Sequence, residues 1–84
     1  MTLLLLSDGL CSLEFDTSDI PLVAAAISER YGVPEQRLFA TAAEYRFGGC
    51  SFAFQNQWDD PCLIAGSSEG SEILKALHEL LATT

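Results

Sequence analysis

Basic side chains are scarce in this chain: four Lys and Arg stand against twelve Asp and Glu over 84 residues, a formal charge of −8. Binding a phosphate track takes clustered cations, but Arg30, Arg37, Arg46 and Lys75 are scattered. Nucleic acid and anionic membrane are therefore not expected partners. Histidine occurs once, at position 78, and tryptophan once, at 58. Nucleophilic catalysis needs a base held beside the nucleophile, and His78 falls on the outer side of the last predicted helix. Cys11, Cys50 and Cys62 are an odd set without close pairs, which suits free thiols in a reducing compartment. Together with His78 they add up to four zinc-type ligands. Structural zinc sites draw on closely spaced pairs that aim two donors at one point, so no metal or other cofactor is expected. No phosphate loop, dinucleotide fingerprint or metalloprotease motif occurs. Long apolar runs are missing too. The stretch "MTLLLLSDGL" is too short to span a bilayer and lacks the basic flank of a signal peptide, so a cytoplasmic location is expected.

What remains is a chain 49% hydrophobic and 19% charged, the composition of a globular protein. Its length suits one compact domain over residues 1–84, near the lower limit for a self-sufficient core. Residues 2–6 and 11–15 flank Asp8-Gly9, a pair suited to a two-residue hairpin loop. That loop pairs Ser7 with Leu10. It puts Leu4, Leu6, Cys11, Leu13 and Phe15 on one face and Leu3, Leu5, Leu10, Ser12 and Glu14 on the other.

A helix follows. Thr17, Ser18 and Asp19 offer capping oxygens, Pro21 fits a first turn, and Ile20, Val23, Ala24, Ile27 and Tyr31 make an apolar stripe. Gly32, Val33 and Pro34 stop it. Residues 37–47 and 50–56 flank Gly48-Gly49, a second tight hairpin. Its expected register sets Phe47 against Cys50, Tyr45 against Phe52 and Ala43 against Phe54. Residues 62–65 form a short last strand. Ser67 or Ser68 caps a final helix striped by Ile73, Leu74, Leu77, Leu80 and Leu81. The expectation is an α+β two-layer sandwich: an antiparallel sheet of four or five strands, two helices on one face, order β-β-α-β-β-β-α.

Two features are left without a structural task. Trp58, Asp59, Asp60 and Pro61 connect two strands. Asp-Asp-Pro is an ordinary turn former, and tryptophan's large area favours folding back onto the core. A tryptophan beside acids is also the combination of an anchor and an electrostatic guide. With Glu44 and Glu14, these acids would steer a basic protein surface, and Trp58 would supply dry contact. The second feature is the leucine cluster Leu3, Leu5 and Leu10, a contact face for a homodimer unless the chain covers it. The sequence thus favours a small acidic, non-enzymatic binding protein or inhibitor that occludes a basic partner. Immunity proteins, antitoxins and phage-encoded inhibitors share this size and charge, an analogy of class alone. A homo-oligomeric assembly module is the alternative.

Overall fold

The computed structural model describes residues 1–40, 42–57 and 60–82. Strands β1 (Thr2–Leu5) and β2 (Cys11–Glu14) come first, then a 3₁₀ turn at Thr17–Asp19 leading into helix α1 (Ile20–Tyr31). Strands β3 (Glu35–Leu38), β4 (Ala43–Phe47), β5 (Cys50–Gln57) and β6 (Asp60–Ala65) follow, and helix α2 (Ser68–Ala82) closes the order. All six strands form one antiparallel sheet in the order β1-β2-β6-β5-β4-β3. The α+β architecture with two helices matches expectation, with one strand more than expected.

The extra strand comes from a reversal that residues 37–47 conceal. Leu38 pairs with Ala43, and the Phe39 N–H donates to the Ala42 carbonyl at 2.8 Å. No glycine or proline marks this bend, so the stretch reads as one long strand. The Gly48-Gly49 hairpin follows its expected register, Phe47 to Cys50, Tyr45 to Phe52 and Ala43 to Phe54. Both glycines take positive φ, 61° and 77°, as a type I′ turn requires.

The first hairpin departs from expectation. Leu5, not Ser7, begins the ladder by pairing with Cys11, and Leu3 pairs with Leu13. The Leu6 N–H donates to the Leu10 carbonyl at 2.8 Å, the Gly9 N–H donates to Leu6 at 3.0 Å, and Gly9 has φ 86°. This is a three-residue loop with glycine at the left-handed position, the next commonest hairpin connection. The Asp8 carboxylate closes it by accepting from the Leu10 N–H at 3.0 Å. Moving the register by one residue turns β1 over relative to β2. Leu3 and Leu5 thereby join Leu13 and Cys11 on the helix side, while Leu4 goes to the other.

The core fills the space between helices and sheet. Leu13, Phe52, Leu74 and Leu77 are essentially sealed, with Phe15, Val23, Ile27, Phe47, Leu63 and Leu81 around them. Phe47 stacks on Phe52 at 4.2 Å between ring centroids, and Tyr31 tilts onto Phe47. At the start of α2 the Ser67 hydroxyl accepts from the Gly70 N–H at 3.1 Å, the expected serine cap. One turn on, the buried Ser71 hydroxyl accepts from the Cys11 N–H at 2.9 Å, tying helix to strand. Pro21 sits in the first turn of α1 as expected, but no side chain caps that helix.

Candidate functional site

Both helices lie on one side, and among the described residues no further layer covers the other face of the sheet. Strand alternation fixes its occupants. From β1 to β3, one row across it reads Leu4, Ser12, Ile64, Ala53, Glu44, Arg37. Beside it run Glu14, Cys62 and Gln55, with Asp60 beyond Cys62 on β6. On the other flank Ser51 opposes Arg46, which opposes Glu35. The centre is built of small or short side chains. Ser12, between Leu4 and Ile64, is only 4% exposed although no helix covers it.

Three of the expected partner-binding residues, Glu14, Asp60 and Glu44, share this face. Glu14 stands directly opposite Cys62 and Asp60 lies two residues before it, and both act on its thiol. The thiol pKa is raised from 9.0, first by burial; the Glu14 and Asp60 carboxylates push it further up, against hydrogen bonding from the Ser12 side chain and the Gln55 backbone. The β2–β6 end of the face is thus acidic. At the β3–β4 end, Glu35 faces Arg46 and Arg37 faces Glu44, so charges of both signs alternate. Trp58 and Asp59 lie outside the described residues.

The leucine face expected for self-association is not assembled. Leu3 packs against the core from the helix side, Leu5 is exposed on that same side at the sheet's edge, and Leu10 ends the first turn half-buried. The cause is the hairpin register, which the Asp-Gly pair alone did not specify. The four zinc-type ligands are likewise divided, since Cys62 is on the helix-free face while Cys11 and Cys50 point to the helix side. Among the described residues no three acids, cysteines or histidines cluster as a metal would need.

Sequence reasoning missed one other feature. An apolar cleft of about 170 Å³ opens between α1 and the sheet, with Phe15, Ile20, Ile27, Pro34, Tyr45 and Phe54 among its walls. The striped helix α1 predicts apolar packing there, but not that helix and strands stop short of closing. No helix among the described residues is long and apolar enough to cross a membrane. No protein family, curated protein or solved structure matches this chain.

Proposed function

We propose that this chain is a non-enzymatic binding module that lays its helix-free sheet face over a basic protein surface and blocks it. The observation that carries this reading is the placement of Glu14 and Asp60 on one face, beside a centre of Ser12, Ala53, Cys62 and Ile64, with Glu44 on the same face opposite Arg37. Short side chains let a partner approach the strands closely, and carboxylates at the rim steer cations toward them. The overall charge of −8 extends that steering beyond contact. Acids on the exposed surface keep most of their hydration, so they contribute more to encounter rate and selectivity than to affinity. Occlusion needs no nucleophile, metal or bound cofactor.

A photo-crosslinking residue placed in living cells at Ala53 or Ile64 tests this, with the exposed Ala25 on α1 as the control site. One basic protein should be captured from 53 and 64 and not from 25. Glu14→Gln with Asp60→Asn should abolish capture, whereas Glu29→Gln with Glu69→Gln, of equal net charge, should leave it. Capture from all three positions alike, or equal loss in both double variants, would show attraction by bulk charge alone and end the proposal.

A further inference from the structure

Strand β3 is one edge of the sheet, and all four of its residues are exposed. An edge strand offers a row of backbone donors and acceptors to another strand. Around it the chain leaves large apolar side chains in water: Val33 is 87% exposed, Leu38 73% and Phe39 57%. Within an acidic molecule this edge is locally neutral on its helix-free side, where Glu35, Arg37, Glu44 and Arg46 balance. Two copies of charge −8 repel least when they approach through such a neutral margin.

We propose that a second copy of this chain pairs with β3, strand to strand and antiparallel, to make a dimer with one continuous sheet. A two-fold antiparallel pair sets one residue opposite itself, which makes the register a choice between the two central residues of β3. Centring on Arg37 brings two guanidinium groups together. Centring on Gln36 sets Glu35 against Arg37 of the second copy, and Arg37 against its Glu35. The same register sets Leu38 against Pro34, which lines the mouth of the apolar cleft, and Val33 against Phe39. Every exposed apolar residue of the segment then meets an apolar partner and every charge an opposite one, the self-complementarity that an isologous interface requires. The other edge, β1, is aliphatic and carries no charge to select a register. Even-numbered pairing also keeps both helix layers on the same side, so the two acidic faces stay open on the other.

The test uses charge reversal and sedimentation equilibrium. The intact chain should shift with rising concentration from 9.1 kDa toward twice that mass. Glu35→Arg and Arg37→Glu each set like charges face to face at both ends of the pair, so each variant alone should remain monomeric with an unchanged circular dichroism spectrum. Mixed together, the two variants should associate, because every opposed pair is then of opposite sign. Gln36→Lys, which adds like charge at the two-fold axis without reversing an existing one, should also be monomeric. A wild type monomeric throughout, a dimer that survives both reversals, a mixture that stays monomeric, or association running beyond the dimer would each overturn the proposal. Whether the helix-free face takes a basic partner is independent of all four results.

Discussion

Replacing Ser71 by alanine removes a single oxygen from the base of α2 and isolates one buried backbone donor. The Cys11 N–H donates to that oxygen at 2.9 Å, in a residue 2% exposed, and Ser71 is 4% exposed. An unpartnered buried amide costs about 1–3 kcal/mol. Alanine is the better helix former, which returns up to about 0.5 kcal/mol. The expected net loss is therefore about 1–2 kcal/mol, against a total of roughly 4–13 kcal/mol for a domain of this length. In a thermal melt that corresponds to a fall of about 4–16 °C. Global stability alone would not separate this effect from a general weakening of α2. Hydrogen exchange does so, because the Cys11 amide itself should lose protection while that of Leu13, in the β2–β6 ladder, keeps its own relative to the new global stability.

Ser67→Ala is the matched comparison. It removes the cap at 3.1 Å from the Gly70 N–H and should cost about 0.5–2 kcal/mol without singling out the Cys11 amide. A Ser71→Ala loss below about 0.5 kcal/mol, with Cys11 as protected as before, would refute the reasoning. It would mean that the hairpin β1–β2 is held to α2 by apolar packing alone.

The Cys62 thiol is raised above 9.0 by burial and then by Glu14 and Asp60. The folded state holds that proton more tightly than the unfolded chain, so this contribution to stability is present below pH 9 and is lost as pH rises through the folded value. Alkylation of Cys62, followed by peptide mass spectrometry against pH, should have its midpoint above that of the denatured chain. Glu14→Gln with Asp60→Asn should move it down, and a midpoint that stays put would remove the carboxylates as a cause. In the second hairpin, a Cβ on Gly48 would meet Ile73 Cδ1 at 2.8 Å and Tyr31 Cδ1 at 3.1 Å, whereas one on Gly49 meets nothing within 4 Å. Both positions carry the left-handed strain of about 1–2 kcal/mol. Gly48→Ala should therefore destabilise more than Gly49→Ala in urea unfolding, and the reverse order would contradict the packing of α1 and α2 over that turn.

Where residue chemistry dictates local geometry, the sequence was a sufficient guide. Two adjacent glycines at 48 and 49 mark a two-residue hairpin loop, and alternating aromatics on either side then fix the β4–β5 register. Asp8-Gly9 is less decisive, because glycine at the left-handed position serves a two-residue or a three-residue loop equally well. A β1 strand of consecutive leucines offers no alternation to choose between them. The difference between them falls on β1, where Leu3 and not Leu4 packs against the core. The reversal between β3 and β4 is silent for a related reason: residues 39–42 of the sequence hold no glycine or proline, and what reveals the reversal is the pairing of Leu38 with Ala43. Of the candidate site, the acids Glu14 and Glu44 could be placed on a common face from alternation alone. Their relation to Cys62 depends on how β6 enters between β2 and β5, a non-local order that no spacing in the chain reveals.

The aromatic residues show why the β3 margin is different from the rest of the surface. Of five phenylalanines, Phe47 and Phe52 stack in the core, Phe15 is buried with them, and Phe54 packs edge-on to Tyr45. Phe39 alone is left 57% exposed, directly after β3 and beside the exposed Leu38. A chain this short has few large side chains with which to fill its core, and local choices in a natural sequence normally agree with the fold. Departures gather where something other than folding sets the residue. The helix-free face departs differently, by being small and acidic where a further layer of the same chain would need bulk. One margin therefore has apolar area and balanced charge to offer to an identical strand, while the β2–β6 end of the neighbouring face carries the carboxylates of Glu14 and Asp60. Under the proposals made above, that contrast gives the edge to a second copy and the face to a different, cationic molecule. The two roles can coexist because pairing at β3 covers none of Glu14, Asp60 or Ile64.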